Sequence, residues 1–121
     1  MAVSIGFLYK KQPTIGVIYN PFLDQLYSAL KGKGAFLNGT TRLPLHPPGP
    51  LISLSSALTV IEFGSDRSKE IMDLKARSFT RLAGDPEGGV EGGRMGHGLR
   101  SIGSAALNFA LVASGSLDIY W

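Results

Sequence analysis

Three short stretches carry residue types that could do chemistry. Gly103-Ser104-Ala105 stands directly before an apolar run that stops at Gly115. Glycine admits close backbone approach, serine caps helices, and the first N–H groups of a helix lack internal partners, so this start could bind an anion or an oxygen-rich ligand. Plain capping is the competing account, because every helix has such an end. Asp85-Pro86-Glu87-Gly88-Gly89 sets two carboxylates beside a glycine turn, the donor chemistry of a hard cation. One pair supplies too few ligands, and a solvated loop is the better account. Glu62 sits near the end of the apolar run Ala57 to Phe63, where burial of a carboxylate demands a partner such as Arg67 or Arg100.

The familiar templates fail residue by residue. A dinucleotide fingerprint opening at Gly96-His97-Gly98 needs a third glycine where Ser101 stands, and a P-loop from Gly98 to Gly103 needs a lysine where Ser104 stands. His97 has no spaced histidine or cysteine near it, and His46 lies among prolines, so neither builds a metal site or a nucleophilic triad locally.

The elements that must position these residues follow from periodicity and turn chemistry. Val3 to Tyr9, Thr14 to Tyr19, Gln25 to Leu30 and Ala35 to Leu37 read as strands, separated by Lys10-Lys11-Gln12-Pro13, Asn20-Pro21 and a glycine-bearing turn, and closed by Asn38-Gly39. They make residues 3 to 43 an antiparallel meander. His46-Pro47-Pro48-Gly49-Pro50 cannot continue a ladder or a helix and marks a boundary. Beyond it comes a strand over 57–63, apolar enough to be covered on both faces. A helix over about 67–82 follows, capped by Ser65 or Asp66, with Ile71, Leu74, Phe79 and Leu82 on one side and an Asp73 to Arg77 pair on the other. The glycine-rich stretch 84–96 reads as a flexible insertion, since glycine makes a fixed loop entropically costly. Ser104 then caps a helix over 105–114, apolar all round except Asn108 and therefore expected to be buried, and Leu117 to Trp121 starts a further strand. The strands at 3–9 and 117–121 are expected to lack partners, which would leave the isolated chain marginally stable.

Composition bounds the function classes. At 121 residues with 44% hydrophobic residues the chain can form a packed core. Its net charge of +3 comes from lysines and arginines scattered along the chain, so no nucleic-acid footprint stands out. The absence of cysteine fits a reducing compartment, and no apolar run approaches the length of a membrane span. A cytoplasmic protein with neither nucleic-acid nor membrane partner is expected.

Taken together, "VSIGFLYKKQPTIGVIYNPFLDQLYSALKGKGAFLNG", "LTVIEFGSDRS" and "LRSIGSAALNFALVASGSLDIYW" resemble, in that order and spacing, the middle of the inositol monophosphatase family of magnesium-dependent phosphatases. "KGKGAFLNG" and "RSIGSAALN" are the most specific parts. The insertion "AGDPEGGVEGGRMGHG" is similar to that of fungal members, including those associated with quinate use.

The resemblance implies an α/β (α+β) fold, a fragment of the family's layered αβαβα architecture, with an antiparallel meander followed by strand-helix-strand-helix-strand. Residues 1–45 would belong to the N-terminal sheet domain, 46–50 to a proline-rich linker, and 51–121 to the start of the C-terminal α/β domain, with the glycine-rich insertion at 84–98. It also implies that Gly103, Ser104 and Ala105 contact the hydroxyls of an inositol or polyol phosphate substrate, and it allows a homodimer. The family's Mg2+ ligands are a glutamate on an upstream helix, an Asp-Pro-x-Asp-Gly loop and an aspartate in a Trp-Asp motif, and none has a counterpart in these residues. Asp85-Pro86-Glu87-Gly88 lacks the second aspartate and is no copy of that loop. The expectation is therefore a truncated phosphatase with no catalytic or metal residue of its own, inactive as an isolated chain and not binding Mg2+. The alternative is a non-catalytic remnant that acts as an interaction module with an intact homologue.

Overall fold

The protein is described by a computed structural model covering residues 1–47 and 49–121. They form two compact units, one of the meander with residues 104–116, the other of residues 49–103 and 117–121. Residues 104–116, expected with the later part of the chain, thus group with the meander. The proline-rich stretch 46–50 includes Pro48, which lies outside the described residues.

In the first unit, β1 (Val3–Tyr9), β2 (Gln12–Asn20), β3 (Gln25–Leu30), β4 (Gly34–Leu37) and β5 (Thr41–Arg42) form one antiparallel sheet in sequential order. The first hairpin is tighter than its sequence suggests. Lys10 and Lys11 both take positive φ, 48° and 63°, so the turn needs only these two residues and β2 begins at Gln12. Pro13 is tolerated inside β2 because the register shifts there: Phe7 faces Ile15 but Leu8 faces Pro13. Asn38, at φ 50°, works as an extra rung. Its N–H donates to Leu26 O, its Oδ1 accepts from Leu26 N at 2.7 Å, and its Nδ2 donates to Asp24 O. At the β2–β3 turn the Tyr19 hydroxyl donates to Asp24 Oδ1 at 2.9 Å, and that carboxylate raises the phenol's pKa. β1, expected to lack a partner, pairs with β2; among the described residues its other edge is unpaired, and every one of its residues is exposed.

The helix α2 (Ala105–Ala113) packs on β2 in the same unit. It is only partly covered, which corrects the expectation of full burial. Asn108 and Ala110 are buried, whereas Phe109 is 61% exposed. A helix apolar all round has no amphipathic stripe to select its inner face, and here the buried side includes the one polar residue. Leu45 N donates to Ser114 O, which ties the chain after β5 to the end of α2.

In the second unit, β6 (Leu58–Val60) lies between β7 (Gly98–Arg100) and β8 (Ile119–Tyr120), parallel to both. The strand at the chain's end therefore has a partner, contrary to expectation. Asp118 fixes its entry, accepting from Leu58 N–H at 2.7 Å through Oδ2 while its own N–H donates to Leu58 O. Ala57, Thr59 and Val60 are buried, as a strand flanked on both edges requires. Full burial of Val60 is worth roughly 1.5–3 kcal/mol relative to exposure.

A parallel pair needs a crossover, and α1 (Lys69–Ala83) lies between β6 and β7 in the chain. It starts later than expected, after Ser68. Asp66 prepares that start, because its Oδ1 accepts from Ser68 N–H at 2.9 Å. Ile71 and Leu82 are half-buried, whereas Leu74 and Phe79 are exposed. Asp73 pairs with Lys69 at 2.5 Å instead of Arg77.

The hydrogen bond from Ser68 N–H holds the Asp66 carboxyl below its ordinary pKa. A depressed folded-state value means that this contribution is present above the unfolded-state pKa and lost as pH falls through the folded-state one. We expect the first turn of α1 to loosen in acid below the ordinary carboxylate range, and Asp66→Asn to abolish that dependence. Amide exchange at Ser68 as a function of pH checks it; an identical acid profile in both proteins counts against it.

The stretch 84–96 is tied by a series of main-chain hydrogen bonds, where its composition suggests a flexible insertion. Val90 N–H bonds Asp85 O and Gly93 N–H bonds Val90 O, which closes the loop on itself. The returning segment then caps α1: Arg94 N donates to Arg81 O, Gly96 N to Leu82 O and Met95 N to Gly84 O. The carbonyls of a last helical turn lack internal partners, and this loop supplies them.

Candidate functional site

The parallel register of β6 and β7 builds the site. Val60 lies opposite Arg100 and Ile61 N–H bonds Arg100 O, so Glu62, just past β6, comes level with the residues just past β7. There its Oε1 accepts from Ile102 N–H at 3.0 Å and from Gly103 N–H at 2.8 Å, and its Oε2 accepts from Ser101 Oγ at 3.2 Å. Main-chain amides and a hydroxyl are thus among the partners that a half-buried carboxylate demands. Arg67, one of the expected partners, donates Nε to Gly64 O and lies over the Phe63 ring. Lys75 Nζ donates to the carbonyls of Glu62 and Phe63, tying α1 to the strand end.

Gly103 adopts φ +87°, a conformation that L side chains rarely take. It ends the 49–103 segment of the second unit. Ser104 begins the 104–116 segment of the first in extended backbone, φ −143° and ψ 107°, and caps α2: its Oγ accepts from Leu107 N–H at 3.4 Å and its carbonyl from Asn108 N–H. Ala105 follows as the first helical residue, exposed.

The other sequence candidates stay apart from this place. Asp85 Oδ1 accepts from Glu87 N–H at 2.9 Å, a local turn of the glycine-rich loop. His46 and His97 are exposed. Among the described residues, no group of three or more histidine, aspartate or glutamate side chains comes together. Mg2+ needs oxygen ligands converging on one point, while the oxygens of Glu62 and Asp85 Oδ1 already accept from this chain's own donors. The residues present do not fit the ion. Beside Glu62 the second unit carries an open groove of about 760 Å³, lined largely by apolar side chains such as Ile61, Phe79 and Leu99.

Ser101 was not foreseen as part of the site, and no spacing rule signals it. Glu62 was signalled, as a carboxylate on an apolar strand.

An antiparallel meander, a parallel strand-helix-strand unit and a serine-capped helix define a mixed α/β protein. The model of the inositol monophosphatase family matches residues 1–121, and the chain belongs to that family. It is 43% identical over 130 residues to protein qutG of Emericella nidulans, covering 98% of this chain and 38% of that protein. Bovine inositol monophosphatase 1 is 36% identical over 121 residues, covering 100% and 39%. Among solved structures, the inositol monophosphatase of Anabaena superposes with a TM-score of 0.78 at 36% identity, covering 99% of this chain and 43% of that one. The chain thus spans about two fifths of the relatives it matches. Among the described residues no helix is long and apolar enough to cross a membrane.

Proposed function

We propose that this chain forms the substrate-hydroxyl-binding part of an inositol-monophosphatase-type hydrolase, which cleaves phosphate monoesters of inositol or a related polyol. Gly103, Ser104 and Ala105 would receive ligand hydroxyls at the start of α2. The observation that carries this reading is the glycine at positive φ followed by a serine-capped helix, in a chain matched by the family model over its whole length. The serine hydroxyl can accept from Leu107 N–H and still donate to a ligand oxygen. The reading includes the family's division of the chain at 46–50, a cytoplasmic location, a homodimeric assembly and dependence on Mg2+. When bound, that ion would activate water and neutralise phosphate charge, and its ligands would have to come from outside these residues.

The 121-residue chain by itself is expected to release no phosphate from inositol monophosphate at any magnesium concentration. A chain completed with the flanking segments of the Emericella nidulans relative is expected to be active. In that chain Ser104→Ala should cost about 1 kcal/mol of helix stability through the lost cap, and raise KM. Turnover by the purified 121-residue chain, surviving removal of trace host phosphatase, would overturn the requirement for outside ligands. An unchanged KM in the serine variant would remove Ser104 from the site.

A further inference from the structure

The turn at 101–103 is held by an acid. Consecutive main-chain N–H groups in a loop ahead of a helix ordinarily attract an anion. Here the chain supplies one itself, since Ile102 and Gly103 both donate to Glu62 Oε1, at 3.0 and 2.8 Å, and Ser101 Oγ donates to Oε2. We propose that Glu62 is the positioning residue of this turn, and that by filling its anion position it makes the turn a place for neutral hydroxyls and closed to phosphate.

Three donors close together in the chain meet one carboxylate about forty residues earlier, brought there by the parallel pairing of β6 with β7. Charge-assisted hydrogen bonds of this kind are about twice as strong as neutral ones, so the acid fixes the direction in which the Ile102 and Gly103 N–H groups point, directly before the left-handed backbone of Gly103. An incoming phosphate would meet a negative charge and find both N–H groups taken. A sugar or polyol hydroxyl carries no charge and can donate as well as accept, so it meets no such barrier. The preference for hydroxyls rests on the proposed ligand turn; the positioning role does not.

The experiment uses the 121-residue chain and needs no substrate. Glu62→Ala is expected to accelerate amide hydrogen exchange at Ile102 and Gly103 about tenfold or more, the loss due to hydrogen bonds to a charged acceptor, with the α1 amides unchanged. Glu62→Gln keeps an oxygen acceptor without the charge. It should restore protection while shifting both amide proton resonances. Inorganic phosphate, added as the probe, should shift these two resonances in Glu62→Ala and leave them unmoved in the wild type. Unaltered exchange in Glu62→Ala, or unshifted resonances in Glu62→Gln, overturns the positioning role. A phosphate shift in the wild type overturns the exclusion of anions and leaves the positioning role standing. Should Glu62→Ala unfold, the resonances of Glu62→Gln decide.

Discussion

Gly93→Ala is expected to destabilise the protein by about 2 kcal/mol or more and to lower its thermal midpoint by roughly 6–10 °C. Gly93 is buried in the glycine-rich loop, where an added Cβ would lie 2.4 Å from Gly84 O and 2.9 Å from Gly84 C and from Val90 O. All three atoms are backbone, so no side-chain rotation relieves the clash. The loop must open, and opening it removes the donors that Arg94, Met95 and Gly96 give to the end of α1. Gly84 is constrained in the same way, its added Cβ falling 2.5 Å from Val90 Cγ1 and 2.6 Å from Thr80 O. Gly49→Ala in the same unit is the control, because none of the described residues beyond its chain neighbours lies within 4 Å of its added Cβ. Thermal unfolding of the two variants beside the wild type checks the expectation; a Gly93→Ala midpoint within about 2 °C of wild type would sink it.

That result bears on what a sequence can and cannot disclose. Composition registers the entropy of glycine in the unfolded chain, and from that the stretch 84–96 reads as flexible. What fixes the loop is close approach of one backbone to another, which leaves no periodic trace. The meander was legible because strands of alternating residues end in turn residues, and four of its five strands lie where alternation puts them. Thr41–Arg42 escaped notice since two residues carry no period. Pro13 argued against a strand until the register shift at Phe7 and Leu8 made room for it. The helix over 105–113 was legible from its serine cap and glycine stop, yet its depth was not, because uniform hydrophobicity says nothing about which side faces in.

The candidate site divides along the same line. Ser104 as a cap is local chemistry, visible in the order Gly-Ser-Ala before an apolar run. Glu62 was visible as an acid at the end of a buried strand and in need of a partner, for which Arg67 and Arg100 were the natural candidates. Its acceptance of Ile102 and Gly103 N–H follows from the register of β6 against β7, a tertiary fact. Ser101 belongs to the site for that reason alone.

Gly103→Val should cost about 2 kcal/mol, and the cost should come from the backbone. Among the described residues no atom beyond the chain neighbours lies within 4 Å of a Cβ at Gly103, so a clash with another part of the chain is not the cause. Its φ of +87° is the cause, because a β-branched side chain there strikes its own main chain. The Gly103 N–H donates to Glu62 Oε1 at the bond about which φ turns, so a backbone that rearranges to relieve the strain strains or breaks that charge-assisted hydrogen bond. Gly103→Asn separates the two effects, since asparagine tolerates positive φ far better than valine and should lose markedly less stability. Urea unfolding of the three proteins gives the comparison, and amide exchange at Ile102 and Gly103 reports whether the turn has let go of Glu62. In the completed phosphatase, Gly103→Val should also weaken binding of inositol monophosphate more than Ser104→Ala does, because it displaces the whole turn and not one hydroxyl. A valine variant as stable as wild type, with exchange at Ile102 unchanged, would mean that the turn is not fixed at this angle; a stable turn with undiminished affinity in the completed enzyme would remove Gly103 from the ligand site.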